Sequence, residues 1–391
     1  MAATATGSIP KVYARTRIAS LPWYLWCGAL AVTSASIGSA WDVSWHRSIG
    51  RDTFWTPAHL AIYACGVLAA IFSGYLILTA TFDKSSPIRA ESVTVLGFRG
   101  PLGAFIAAWG GIAMLTSAPF DNWWHNAYGL DVKIVSPPHT LLILGIRAIG
   151  IGVLFLLLAA MNRAASSDAS NSKNFQLLFL YVGGLVVGGQ MFFLIEYTWD
   201  IYLHSTVPYI AIAIALPLIL AALSQASRHP WAATAMTAVY MLFGIGEILI
   251  LPLFPAQPKL GPVFTQVTHM VPAKFPILLI APAVALDLLW RRQREPWVMA
   301  LAGGVVFVAV LVAVEWPFAD FLMSKWSANR FFGTMYFDYN SRPNNFDQMR
   351  QFLMPQHGWL LISGLTRASI YAVVGSWVGI HFGRWMRRLQ R

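Results

Sequence analysis

The chain has 391 residues, of which 57% are hydrophobic and only 11% are charged, and its mean hydropathy is +0.59. Because an ordinary soluble domain carries roughly a quarter charged residues, this composition excludes a cytosolic enzyme. It also excludes a nucleic-acid-binding protein in spite of the net charge of +11, because basic excess in so apolar a chain is typical of cytoplasmic loops and contact with lipid headgroups.

Ten apolar segments predict membrane-spanning helices. A helix needs about 20 mostly apolar residues to cross a bilayer. The segments are continuous apolar runs and do not alternate, which excludes a transmembrane β-barrel. In chain order they are 22–45, 59–82, 102–120, 139–162, 175–198, 207–226, 230–253, 272–290, 297–316 and 359–383. We therefore expect an all-α polytopic membrane bundle of about ten transmembrane helices.

The positions of Lys and Arg predict the orientation. With a cytoplasmic N-terminus, most basic residues, including the clusters at 291–294 and 384–388, fall on the cytoplasmic side. Both termini are then cytoplasmic, in a bacterial cytoplasmic (inner) membrane. The predicted organisation is a cytoplasmic tail at 1–21, two helical hairpins at 22–165, and further helices at 166–391 with a long extracytoplasmic loop at 317–358.

One pattern of Asp, His, Gly and Pro occurs twice in the first four predicted helices. The first copy has these residues at Asp42, His46, Gly50, Asp52, Pro57 and His59, and the second at Asp121, His125, Gly129, Asp131, Pro137 and His139. Each copy ends one predicted helix and begins the next. The chain thus contains two similar hairpins, and internal repeats of this kind are common in membrane folds.

The spacing predicts that each hairpin brings one carboxylate and two imidazoles together at the extracytoplasmic end. An Asp and a His four residues apart share a helix face. A Pro begins the following helix without losing a hydrogen bond, and the second His then lies in its first turn. The predicted ligand sets, which suit Cu, Fe(II) or Zn, are Asp42, His46 and His59, and Asp121, His125 and His139.

The alternative interpretation is that these are ordinary polar residues at the membrane interface. A single such His is more often a hydrogen-bonding residue than a ligand. Here the same three-residue pattern occurs twice, and ionisable residues near a bilayer are costly enough to indicate a function. We therefore favour metal binding at both hairpins.

Four further residues are candidates for supporting the metal ligands. Glu196, Asp200 and His204 are spaced to share one helix face at the outer end of the fifth predicted helix. They are interpreted either as a polar stripe at a helix end or as residues that hold the ligand imidazoles or conduct protons. Arg147, two turns from His139, is expected to pair with an acidic residue such as Glu196, Glu247 or Glu315, because an unpaired charge at that depth is costly.

The segment 42–59 resembles the C subunit of the copper membrane monooxygenases, the family of particulate methane monooxygenase and ammonia monooxygenase. The likeness consists of the Asp-x-x-x-His pattern, Arg51-Asp52-Thr53, and Thr56-Pro57-Ala58-His59, at the same separations. The resemblance implies that Asp42, His46 and His59 are copper ligands. It also matches the second motif to a further proposed copper site, in which the family has Asn where this chain has Asp121. It covers about residues 20–165.

The resemblance implies a copper-dependent membrane oxidoreductase that activates O2 to oxidise a small apolar or unreactive substrate. It also implies partner monooxygenase subunits, a homo-oligomer, and electrons from a quinol or another donor. Iron and zinc are the other metals that the ligand set accommodates. The alternative functions are non-catalytic handling of copper or zinc, which the lack of Met-rich or Cys-x-x-Cys tracts disfavours, and a purely structural subunit.

Overall fold

The structure is a computed structural model that describes residues 21–50, 52–129, 136–166, 172–259, 267–322, 324–327, 329–332 and 355–391. Nearly all of the predicted tail at 1–21 and most of the predicted loop at 317–358 lie outside the described residues. The predicted loop begins later than expected, because the preceding helix continues to Leu322.

Ten α-helices form the described part of the chain. They are α1 (Trp23–Ser48), α2 (Pro57–Phe82), α3 (Leu102–Tyr128), α4 (Pro137–Ser166), α5 (Ser172–Phe193), α6 (Val207–Ser227), α7 (Ala232–Ile250), α8 (Ile280–Arg292), α9 (Pro296–Leu322) and α10 (Gly358–Met386). All except α1 and α8 are long and apolar enough to cross a bilayer. The chain is therefore a multi-pass helical membrane protein in contact with lipid, with eight such helices in its described part.

The predicted span at 272–290 is wrong. Helix α8 begins only at Ile280 and has 13 residues, so it extends for about 20 Å, against the roughly 30 Å of a bilayer core. The residues before it are not helical, because Pro272 and Pro276 cannot supply the backbone donors of a helix. This non-helical segment, 267–279, is packed inside the protein, with Met270, Val271 and Ile277 buried.

The α1–α2 and α3–α4 connections lie at one end of the bundle, which we call the motif end. A two-stranded hairpin, β1 (Val93–Val95) with β2 (Phe98–Gly100), joins α2 to α3 at the other end. The C-terminal ends of α4 and α10 also meet there, since the Asn162 amide donates to the carbonyls of Met386 and Leu389 at 3.1 and 2.7 Å. From His139 to Asn162, helix α4 covers roughly 35 Å at 1.5 Å per residue.

Small residues bring α3 and α4 close together. A Cβ atom at Gly110 would lie 2.6 Å from the carbonyl oxygen of Gly145, so this crossing accepts no larger residue. Close contact at glycines is how membrane helices gain packing energy where the lipid is as apolar as their side chains. Because both helices carry residues of the second motif, this crossing fixes the relative positions of those residues.

Candidate metal centres

The first motif folds into a cluster of two carboxylates and two imidazoles. Asp42 and His46 lie in the last turns of α1, and His59 lies in the first turn of α2. His59 Nε2 is 3.2 Å from Asp42 Oδ1, and His46 Nε2 is 3.8 Å from Asp42 Oδ2. Asp52, in the connecting loop, places its Oδ2 3.4 Å from His46 Nε2 and 3.1 Å from His59 Nε2.

The second motif forms a matching cluster of Asp121, His125 and His139. Asp121 and His125 lie near the end of α3, and His139 lies in the first turn of α4. Asp121 Oδ2 is 3.4 Å from His125 Nε2, and Asp121 Oδ1 is 3.2 Å from His139 Nε2. Both helices that follow the loops begin at the predicted prolines, Pro57 and Pro137. The second motif thus brings its predicted Asp-His-His set together. In the first motif the residues with mutually close ligand atoms are Asp42, His46 and Asp52, and His59 contacts both carboxylates.

The backbone repeats along with the side chains. Gly50 and Gly129 each follow a ligand histidine by four residues, and their φ angles are 92° and 90°. His125 Nδ1 lies 3.3 Å from the carbonyl oxygen of Gly129, and His46 makes the equivalent hydrogen bond to the backbone of Gly50. A backbone carbonyl on one ring nitrogen orients an imidazole and leaves the other nitrogen to bind a metal. In both clusters that other nitrogen, Nε2, faces the carboxylates.

The spacing of the donor atoms fits a metal ion. Ligands held about 2.0–2.1 Å from a tetrahedral ion are roughly 3.3 Å apart, and the nitrogen–oxygen separations here run from 3.1 to 3.8 Å. Asp42 Oδ1 and Asp121 Oδ1 are buried, and an imidazole nitrogen lies 3.2 Å from each. A cation at this point could be shared by the carboxylate oxygen and the imidazole nitrogen.

Asp52 is the functional candidate that ligand prediction missed. It recurs in the repeat, in the Gly-x-Asp of each loop, but loop residues have no helical spacing from which their position could be predicted. Burial acts to raise the pKa of Asp52, but hydrogen bonds and charge from His46 and His59 outweigh it and lower the pKa well below its usual value. Asp52 is therefore a carboxylate at neutral pH. Its counterpart Asp131 lies outside the described residues.

Tyr63 links the two clusters. It lies one turn after His59 in α2, and the ring centroids of the two residues are 6.0 Å apart. Its hydroxyl interacts electrostatically with Asp42 and Asp52 of the first cluster and with Asp121 of the second. The two candidate centres therefore belong to one polar region at the motif end.

The non-helical segment 267–279 packs against the end of α1. Val271 N donates to Ser48 Oγ at 2.7 Å, and Ser44 Oγ lies 3.6 Å from Met270 Sδ. The Arg47 guanidinium donates to the carbonyl of Ala273 and lies 4.2 Å from the centre of the Trp199 ring. These contacts fix the helical turn that presents Asp42 and His46 to the cluster.

The structure does not place Asp200 and His204 on one helical face. Helix α5 ends at Phe193, and Asp200 begins a separate 3-10 turn. Asp200 is buried near Lys274 and Arg47, so its described interactions are with these two cations. His204 Nε2 lies 3.0 Å from Asp320 Oδ1. The predicted helix face is wrong because two short 3-10 turns replace the last turns of the expected helix.

Glu196 and Arg147 also lack the contacts expected of them. Glu196 is exposed, and its described interaction is an electrostatic one with Arg47. Arg147 donates to the carbonyl of Gly189 at 2.6 Å. The prediction expected an acidic partner for Arg147. Its guanidinium instead donates to a main-chain carbonyl of α5.

Comparison of the chain with protein-family models, with curated proteins and with solved structures finds no match.

Proposed function

We propose that this protein is a membrane metalloprotein with one metal centre in each of its first two helical hairpins, and that it works as a copper-dependent oxidoreductase. The observation that carries the proposal is the convergence of buried carboxylate oxygens and imidazole nitrogens in two copies of one motif. Asp42, His46 and Asp52 in the first hairpin, and Asp121, His125 and His139 in the second, offer ligand atoms that lie within 4.8 Å of one another. Both groups lie at the same end of the bundle.

The donor atoms determine which metals fit. Two imidazoles and two carboxylates at the first centre, and two imidazoles and one carboxylate at the second, suit Cu, Fe(II) and Zn. The resemblance of residues 42–59 to the C subunit of copper membrane monooxygenases favours copper. Bound copper would supply redox chemistry with O2, which no side chain in the clusters can provide.

The protein's own contribution is the geometry and charge of the ligand sets. The glycine carbonyls orient the imidazoles, and the carboxylates balance the charge of a cation. A small apolar substrate partitions into the bilayer and can reach a centre at this depth from the lipid. Electrons would come from a quinol or another external donor. The proposal also includes assembly of this protein with partner monooxygenase subunits.

The orientation belongs to the same proposal. The end opposite the motif end carries most of the basic residues, including Arg291, Arg294 and Arg384. By the positive-inside rule this end is cytoplasmic. The two centres then lie at the extracytoplasmic end of a bacterial inner-membrane protein, and both termini are cytoplasmic.

A second candidate function is the binding and exchange of copper or zinc without catalysis. The observation that favours it is the exposure of His46, whose side chain is 46% accessible in the cluster. A solvent-exposed ligand allows a bound ion to be exchanged with a molecule that delivers or receives it. The same exposure leaves room for a substrate beside the ion. Metal content alone cannot separate these two functions, so the test needs a redox measurement as well.

The test is elemental analysis of the purified protein in lipid nanodiscs, with His46→Ala and His125→Ala as variants. We expect each variant to lose the metal of its own centre and to keep the other. Metal content unchanged in both variants would contradict the metal centres. Consumption of O2 with a quinol as reductant, lost in the variants, would support the oxidoreductase. Metal binding without any such activity would favour metal handling.

A further inference from the structure

A strongly basic cavity lies at the end of the bundle opposite the motif end. It has a volume of about 660 Å³ and lies between the C-terminal ends of α6, α8 and α10 and the start of α9. Six of its lining residues are arginines, namely Arg228, Arg291, Arg294, Arg384, Arg387 and Arg388. Its position, roughly 35 Å along the bundle from the metal motifs by the rise of α4, makes it independent of the proposed function.

The positive charge of the cavity is not neutralised within the described part of the chain. The ion pairs there include none to these six arginines. Asp287, the acidic residue in the lining, is occupied elsewhere, because its carboxylate accepts from Thr234 N at 2.8 Å, Thr234 Oγ1 at 2.7 Å and Ala233 N at 3.2 Å. Burial lowers the pKa of Arg387, and the neighbouring charges of Arg228 and Arg384 lower it further.

Several arginines are held in place by the protein. Arg384 donates to the carbonyl of Arg294 at 2.7 Å, Arg387 donates to the carbonyl of Gln225, and Arg291 lies 4.7 Å from the centre of the Trp231 ring. Like charges fixed at close range are costly unless an anion compensates them. A preformed group of guanidinium donors with planar, forked geometry is suited to phosphate oxygens.

Two further features indicate a ligand site. Ser224 lines the cavity and is only 7% exposed, and its buried Oγ has no hydrogen-bond partner in the described part of the chain. Arg228 adopts a left-handed conformation, with φ at 59°, at the end of α6, where glycine would bear no strain. The chain therefore has a strained arginine at a position that favours glycine, and that arginine faces the cavity.

We propose that this cavity binds a phosphate group, supplied by the headgroup of an anionic phospholipid or by free inorganic phosphate. Basic pockets between transmembrane helices at one membrane face are typical sites for anionic headgroups. The location at the helix ends, beside the exposed Trp297 and Trp385, corresponds to the headgroup level of a bilayer.

The test compares the full-length protein in nanodiscs of phosphatidylcholine alone, of phosphatidylcholine with phosphatidylglycerol, and of phosphatidylcholine with added inorganic phosphate. The cavity variant is Arg228→Gly with Arg294→Gln and Arg388→Gln, which leaves the three anchored arginines in place. The matched control is Lys84→Gln with Arg99→Gln and Lys173→Gln, since these three cations are exposed at the same end, outside the cavity.

We expect phosphatidylglycerol to raise the Tm of the wild type and of the control variant. The cavity variant should require about tenfold or more of the anion for the same shift, because it loses charge-assisted hydrogen bonds. If inorganic phosphate alone produces the cavity-dependent shift, the free ion is the ligand. Equal loss in the control variant, or no shift of the wild type with either anion, would overturn the proposal.

The folding of the cavity variant is checked separately with Arg228→Gly alone. Its Tm in phosphatidylcholine should equal or exceed that of the wild type, because glycine relieves the left-handed strain. If Arg228→Gly folds normally, a triple variant that responds to both anions as the wild type does would also contradict a cavity site. Because neither the variants nor the readout involves the metal ligands, failure here is distinct from failure of the proposed function.

Discussion

At the scale of single residues, Asp52 determines the charge of the first candidate centre. With Asp42 it supplies two carboxylates, so a divalent cation there would be fully neutralised. The described part of the second centre has one carboxylate, Asp121. Two similar hairpins thus provide two different electrostatic environments, and we expect the first to hold a divalent ion more tightly.

Replacing Asp52 tests this difference. Asp52→Asn keeps the size of the side chain and removes its charge, so we expect affinity for a divalent metal at the first centre to fall by about 10–100-fold. Metal titration in a His125→Ala background isolates that centre. Asp83→Asn, an exposed carboxyl at the opposite end of α2, is the matched control. Unchanged affinity in Asp52→Asn would mean that Asp52 is not a ligand.

The buried charges behind α1 give a second prediction at this scale. Lys274 donates to the carbonyl of Thr198 and interacts with Asp200 and Glu315, and Arg47 lies in the same group. Burial raises the pKa of Asp200, and Lys274 and Arg47 oppose this rise. Lys274→Met should therefore destabilise the protein by about 3–5 kcal/mol at neutral pH, because a buried carboxylate loses its cation.

The pH dependence of that variant follows from the direction of the shift. A carboxyl whose pKa is raised by folding opposes folding when it is ionised, and this penalty disappears as the pH falls. The difference in Tm between Lys274→Met and wild type should shrink on acidification. The double variant Lys274→Met with Asp200→Asn should recover stability at neutral pH. If acidification leaves the difference unchanged and the double variant recovers nothing, Asp200 is not the partner.

At the scale of elements, the sequence predicts the two hairpins but not the distant segment that packs against α1. The Asp-x-x-x-His spacing and the prolines at the helix starts define each hairpin locally, and the structure has them as predicted. The non-helical segment 267–279, which packs against α1, lies more than 220 residues away in sequence from Ser44 and Ser48. Local periodicity in the sequence cannot show such a long-range contact. The apolar run 272–290 therefore predicts a full span, although Pro272 and Pro276 interrupt it.

The prediction at the scale of elements concerns the backbone conformation of Gly129. Its φ of 90° and ψ of 178° lie in a region that is essentially restricted to glycine. Gly129→Ala should cost about 1–3 kcal/mol and should displace the carbonyl that orients His125, so we expect loss of metal at the second centre. Gly74→Ala is the control, since a Cβ there meets nothing within 4 Å. Equal metal content in both variants would contradict this role of Gly129.

At the scale of the whole molecule, composition predicted the membrane bundle, and the eight long apolar helices of the described chain confirm it. The distribution of charge gives the molecule two unlike ends. The motif end has clusters in which carboxylates meet imidazoles, and the other end has the arginine-lined cavity. The two ends differ in charge, and both the positive-inside rule and anionic lipid headgroups act on this difference. The charge asymmetry therefore predicts a single orientation in the bilayer.

Cysteine labelling measures that orientation directly. In a background with Cys27 and Cys65 replaced by Ala, Gln257→Cys marks the motif end and Ala90→Cys marks the opposite end, both at exposed positions. We expect a membrane-impermeant maleimide to label Gln257→Cys in intact spheroplasts and Ala90→Cys only after permeabilisation, because the arginine-rich end is retained in the cytoplasm. Both variants should label fully in lysed membranes. The reverse pattern would place both candidate metal centres at the cytoplasmic face and would contradict the proposed orientation.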